Sequence, residues 1–268
     1  MRIVVCIKQI PNPDALGAVL RIDETARVAV LPPAHPLVIS PFDEQALEAA
    51  LRIRDRLGAA VKTTAVTLGP ESARTALKQA LALGADDAVH LIDTAFDGAD
   101  GYVVAHALAR AIRKLGDVDL ILAGRQAADW DAGVVGLGIA EILGLPSVSF
   151  ARAIEVTDAA LLVERVLQDG FEQVASPLPA VVTVSNELGE ARKPNLRETM
   201  RAARKPVTAW SAADLGMDAQ ALRPRRTLER LFIPQKSGRC EMIAGASGAE
   251  RGARLARCLI ESRSVQVE

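Results

Sequence analysis

Unbroken apolar runs alternate with amphipathic stretches through residues 1–150. Arg2 to Ile7 is a continuous, largely β-branched run, the pattern of a central strand buried on both faces of a parallel sheet. It runs into Lys8-Gln9-Ile10-Pro11-Asn12-Pro13, a polar loop that two prolines keep from turning helical. Weak alternation over Val19–Ile22 and Arg27–Val30, with Asp23-Glu24-Thr25 between, predicts a small hairpin. After the start signal Ser40-Pro41-Phe42-Asp43-Glu44, the residues Ala46, Leu47, Ala50, Leu51, Ile53 and Leu57 share one helical face, and Gly58 closes the helix. The same alternation continues with strands at Lys62–Val66, Ala88–Leu91, Leu120–Ala123 and Val148–Phe150. Helices at about Ser72–Leu83, Tyr102–Leu115 and Asp131–Leu143 separate them. Such βαβ units with right-handed crossovers dictate a doubly wound, mostly parallel five-stranded α/β sheet.

Beyond Phe150 the rhythm changes. Ile154–Val156, Leu161–Leu167 and Phe171–Ala175 alternate and are joined by short polar turns, which predicts a small antiparallel meander. Ala180–Val184 is a further buried strand. From Ser185 the chain is polar and basic, and after Trp210 it becomes an arginine-rich tail with a last helix at about Ala249–Ile260. The predicted organisation is an α/β nucleotide-binding domain at 1–184 with its meander at about 151–184. A polar segment and short helix follow at 185–206, then an extended C-terminal arm at 207–268 that packs on something, such as another chain.

Composition narrows the function classes. With half of its residues hydrophobic, 24% charged and a formal net charge of −1, the chain can bury a large core and has no general attraction for nucleic acid or an anionic membrane. The N-terminal apolar run is too short for a membrane span, and Cys6, Cys240 and Cys258 form no Cys-x-x-Cys pair, which fits a reducing cytoplasm. No P-loop, G-x-S-x-G elbow, H-E-x-x-H or G-x-G-x-x-G after the first strand is present. His35, His90 and His106 lie in a proline-flanked loop, a strand and a helix. No set of residues for an acid, base or nucleophile emerges, and no metal ligands group together. The chain reads as a binding protein.

Candidate binding chemistry gathers in GRQAADWDAGVVGLGIAEIL, residues 124–143, where a strand passes through a glycine-bearing turn into a helix. A helix start favours an anion, and Gly133, Gly136 and Gly138 would let a ligand approach the backbone. Ligands of open α/β sheets lie where strand order reverses, here between the first and fourth strands. That places the Lys8 loop opposite Gly124, with Arg125, Gln126, Asp129 and Asp131 as side-chain donors and acceptors. Such a crevice suits an adenine nucleotide; the alternative is a set of polar loops at a sheet edge.

The segments MRIVVCIKQIPNPD, SPFDEQALEAALRIRD, TLGPESARTALKQALALGADDAVHL, GRQAADWDAGVVGLGIAEILGLP, ERVLQDGFEQVASPLPAVVTV and RKPNLRETMRAARKPV together resemble the β subunit of electron transfer flavoproteins, including the FixA branch. The resemblance implies a heterodimer in which the α subunit holds most of the redox FAD. The β subunit would hold AMP, or a second FAD in electron-bifurcating members. It implies nucleotide contacts at Cys6 and its neighbours, Ser40 to Asp43, Leu68 and Asp129 to Ala140, a run that includes Ala132, Val134 and Val135. Phe42 stands for an aromatic that reaches the partner's flavin. The segment 185–204 stands for a loop that docks flavin dehydrogenases such as acyl-CoA dehydrogenases, with Leu196 as anchor and Met200, Arg201 and Arg204 beside it. Electrons would leave for a quinone reductase or another acceptor. A homo-oligomeric adenine-nucleotide sensor is the reading from a different class. Two departures from the family pattern matter. Ser40 precedes Pro41-Phe42 where Asn is usual, and Ala132 and Val134 replace polar side chains in the run from Asp129 to Gly136, each missing hydrogen bond costing about 1 kcal/mol. Gln168 likewise stands where an acid is usual.

Overall fold

A computed structural model describes residues 1–15, 21–157, 160–234, 240–262 and 264. Met1–Leu231 form one compact unit and Phe232–Glu268 another. The first unit is built on β1 (Arg2–Cys6), β2 (Gln9–Pro11), β3 (Arg21–Asp23), β4 (Val28–Val30), β5 (Leu37–Ile39), α1 (Pro41–Leu57), β6 (Lys62–Leu68), α2 (Arg74–Leu83), β7 (Asp87–Leu91), α3 (Gly101–Leu115), β8 (Leu120–Gly124), α4 (Val135–Leu143), β9 (Ser147–Val156), β10 (Leu161–Leu167), β11 (Gly170–Ser176), β12 (Ala180–Val184), α5 (Leu196–Arg204) and β13 (Thr208–Trp210). The second unit contains α6 (Gly248–Glu261), which Ser247 caps by accepting from the Glu250 N–H.

The fold class is α/β with a mostly parallel sheet, as the alternation predicts, but the sheet is larger than five strands. Nine strands run in the order β11-β10-β9-β12-β8-β1-β6-β7-β13. Ala180–Val184 inserts between β8 and β9, parallel to both, so the fourth and fifth predicted strands are not neighbours. The meander is not separate: β9 is one long strand that carries the sheet into the antiparallel pairs β9–β10 and β10–β11. Beyond β7, Thr208–Trp210 adds a short parallel edge strand. The small hairpin forms as β3 and β4, and its predicted start at Val19 and Leu20 lies outside the described residues.

Two-sided burial organises the core. Along β1, Ile3 and Val5 join the cluster under α1 and α2, while Val4 and Cys6 join the cluster under α3 and α4. Two glycines bring α4 tightly onto its neighbours. A Cβ on Gly136 would lie 2.7 Å from Thr183 Cγ2 of β12, and one on Gly138 would lie 2.9 Å from Ala105 Cβ of α3. The missing Cβ at both glycines is therefore demanded by the packing of α4 on β12 and α3. Gly136→Ala is expected to destabilise the chain by about 1–3 kcal/mol, because Thr183 is β-branched and cannot swing away, and urea unfolding at constant pH checks it.

Candidate functional site

The chain folds one way from β1 through β6 to β7, then crosses back through α3 to place β8 on the other side of β1. The strand order reverses between β1 and β8, where the sequence places the crevice. Both strands end at this edge, β1 leading into Lys8 and β8 ending at Gly124.

Asp43, in the first turn of α1, ties these two ends together. Its Oδ2 accepts from the Lys8 N–H at 2.9 Å and its Oδ1 from the Gly124 N–H at 2.9 Å. Gly124 has no freedom to be anything larger: a Cβ there would sit 2.6 Å from Asp43 Oδ1 and 2.8 Å from the Phe42 carbonyl carbon. Burial pushes the Asp43 carboxyl up from 3.8 to about 7, against the lowering effect of the Gly124 and Lys8 N–H bonds. Ser40 adds a further link by accepting from the Ala128 N–H at 3.3 Å, so the start of α1 is fastened to both walls.

Above the clamp, the Lys8 ammonium pairs with Asp129 at 2.6 Å, spanning the crevice. The loop from Arg125 to Val134 closes on itself: Gln126 Nε2 donates to Asp131 Oδ1 at 2.8 Å and the Asp131 N–H to the Ala127 carbonyl. Asp131 (φ +50°) and Gly133 (φ +63°) are left-handed, which ends any helix before Val134. Helix α4 consequently starts at Val135, four residues later than Asp131. Its cap residue, Val134, has no side-chain acceptor, so the first N–H groups of α4 find no partner within the helix or its cap. Ala132 is exposed beside it. The neighbouring helix α3 differs: Asp100 caps it through Val103 and also accepts from the Arg225 and Arg226 N–H groups.

On the β8 side, the Arg125 guanidinium lies between two aromatic rings, 4.8 Å from the Phe42 centroid and 5.7 Å from that of Phe150, and donates to Ser185 Oγ at 3.2 Å. Phe150 holds φ +60° where the register of β9 against β12 shifts, and its ring is exposed. Its place here has no sequence signal, since it depends on that bulge.

The predicted residues thus divide. Lys8, Ser40, Phe42, Asp43, Gly124, Arg125, Gln126, Asp129, Asp131, Ala132, Gly133, Val134 and Val135 surround the switch point. Cys6 and Gly136 lie beneath it, Cys6 with its thiol in the apolar cluster and pushed up to about 12 by burial and then by Asp43. Leu68 ends β6, one strand further along. Leu196, Met200, Arg201 and Arg204 lie on α5, which packs against α2, away from the crevice. Among the described residues no group of His, Cys, Asp or Glu could hold a metal, and no helix is long and apolar enough to cross a membrane.

The electron transfer flavoprotein domain matches residues 28–215. The β subunit of the electron transfer flavoprotein of Thermoanaerobacterium thermosaccharolyticum is 40% identical over 223 residues, covering 83% of each chain. This chain belongs to the electron transfer flavoprotein family. The FixA protein of Azorhizobium caulinodans is 38% identical over 245 residues, with 87% of this chain and 85% of the relative covered. The caffeyl-CoA reductase-Etf complex subunit CarD of Acetobacterium woodii is 36% identical over 251 residues, covering 92% of this chain and 93% of that subunit. The chain is an electron transfer flavoprotein β subunit, the role that the resemblance implies, and its work involves a flavin.

The Asp43 clamp carries a pH signature. Because its folded value of about 7 lies above 3.8, folding takes up a proton between those values, and stability falls as pH rises from about 4 through about 7. Relative to Asp43→Asn, which lacks this titration, the wild type should lose up to about 1.4 kcal/mol per pH unit across that window, measured by urea unfolding at fixed ionic strength.

Proposed function

We propose that this β subunit pairs with an electron transfer flavoprotein α subunit and holds an adenine nucleotide in the crevice between β1 and β8. The redox FAD belongs mainly to the α subunit, at the heterodimer interface. Bound there, that flavin supplies the one- and two-electron chemistry, and this chain contributes binding, orientation and partner recognition. The protein acts as an electron carrier rather than a catalyst. It accepts electrons from flavin dehydrogenases such as acyl-CoA dehydrogenases, passes them to a quinone reductase or another acceptor, and works in the cytoplasm.

The observation that carries the nucleotide site is the open start of α4 at the point where strand order reverses. The residues present fit the group. The free N–H groups and dipole of α4 suit a phosphate, and the carboxylates of Asp129 and Asp131 suit ribose hydroxyls or an adenine amino group. Ala132 and Val134 leave the phosphate to the main chain. Phe42 and Arg125 form the wall toward the partner's flavin, residues 185–206 dock the donor, and 207–268 form the arm against the α subunit. A second FAD in place of AMP is the other reading; similarity along nearly the full chain to a subunit of a caffeyl-CoA reductase-Etf complex fits work within a larger reductase complex.

Purification with the α subunit, followed by counting FAD and AMP per heterodimer, separates these readings. One FAD and one AMP support the simple carrier, and two FAD support a bifurcating complex. Absence of a flavin-containing heterodimer with any α subunit overturns both. Val134→Asp, which supplies α4 with its own capping carboxylate, should lower nucleotide occupancy at least tenfold while the FAD of the α subunit stays bound.

A further inference from the structure

Helix α5 carries Leu196 and Met200 one turn apart, 77% and 57% exposed, beside Arg197 and Arg201. It is nine residues long and buries only Ala202, too little to hold a helix of that length in place by apolar contact. What fixes it is polar and comes from α1 and α2. The buried carboxylate of Glu48, in mid-α1, accepts from Arg192 at three positions: Nε at 2.7 Å and the main-chain N–H at 3.2 Å on Oε2, and Nη2 at 3.3 Å on Oε1. Its Oε1 also accepts from Arg52 Nε at 2.9 Å, and Arg52 extends to the carbonyls of Leu188 and Glu190. Arg192 Nη2 reaches Asp55 at 2.8 Å. At the other end of α5, Lys78 of α2 donates to the carbonyls of Ala202, Ala203 and Lys205. Between these anchors the helix start is closed locally by the reciprocal bonds of Asn195 and Glu198.

Glu48 is therefore the point at which α1, whose first turn also clamps the crevice, takes hold of the segment leading into α5. Burial pushes its carboxyl up, but the bonds from Arg192 and Arg52 outweigh burial and keep it below its ordinary value. An ionised carboxylate shared by two guanidiniums is directional, and this one sets where the chain enters α5.

We propose that Glu48 is a positioning residue for donor docking: through Arg192 and Arg52 it holds residues 186–192 so that α5 presents Leu196 and Met200 outward already in their bound geometry. This rests on the reading of α5 as the donor-docking element. A pre-set helix spares the docking step the entropy of ordering that segment, so loosening the anchor weakens encounter without touching the electron-carrying centre.

The test uses the heterodimer with its α subunit, as wild type, Glu48→Gln, Arg192→Met and Leu196→Ala. An acyl-CoA dehydrogenase reduced by butyryl-CoA serves as the donor probe. Glu48→Gln and Arg192→Met should each raise the apparent KM for the donor on the order of tenfold with kcat changed less than twofold, a shift that corresponds to about 1.4 kcal/mol. Amide hydrogen exchange over 186–204 should quicken in both, while FAD content and exchange over β1 and β8 stay as in the wild type. Leu196→Ala should raise KM with exchange over 186–192 unchanged. If Leu196→Ala raises KM but both anchor variants leave it unchanged, or leave the exchange of 186–204 unchanged, the positioning role is overturned and the docking reading stands. If Leu196→Ala leaves KM unchanged, the docking reading falls and the proposal with it. Arg192→Met guards against a Glu48→Gln chain that fails to fold.

Discussion

One buried carboxylate holds the functional edge of this protein together. Asp43 belongs to α1, yet its two oxygens take the N–H groups of Lys8, just beyond β1, and of Gly124, the last residue of β8, where the strand order reverses. Elsewhere in the sheet, main-chain ladders keep strands aligned. At the switch point the ladder runs out and a side chain continues it. Much else follows from that: Gly124 can carry no side chain, Phe42 is set against Arg125, and the Lys8–Asp129 pair closes the crevice from above. The arrangement carries a cost, because desolvation works against the charge that the two N–H groups favour, and the carboxyl comes to rest near neutral pH.

Most of the architecture was legible in the sequence because its cause is local. The largely β-branched run of Arg2–Ile7, the apolar face of Ala46, Leu47, Ala50 and Leu51, and the closure at Gly58 each specify an element from its own residues. Spatial order is a different matter. Nothing in Ala180–Val184 says that it slots between two strands already formed, and nothing in Thr208–Trp210 says that it extends the sheet beyond β7. Hydrophobic period identifies a strand without naming its neighbours.

The site was legible in position more than in detail. Reversal of strand order alone puts the Lys8 loop opposite Gly124. The fine structure turns on backbone states that residue type does not announce. Left-handed Asp131 and Gly133 move the start of α4, and the register shift at β9 turns Phe150 over Arg125. Gly136 and Gly138 resemble ligand-facing glycines in sequence because packing and ligand approach demand the same missing Cβ. The Glu48–Arg192 contact spans 144 positions, and no local pattern marks either residue as the other's partner.

Asp100 shows how the fold treats two adjacent helix starts unequally. At α3 the chain has filled the start with its own carboxylate and used that charge to gather the main chain at Arg225 and Arg226; at α4 the cap is a valine. A carboxylate fixed at the start of α3 occupies the place that a free anion would otherwise take there. Two helix starts that lie side by side are thus chemically unlike: one is satisfied by a carboxylate of its own chain, and the other is left open at the edge where strand order reverses.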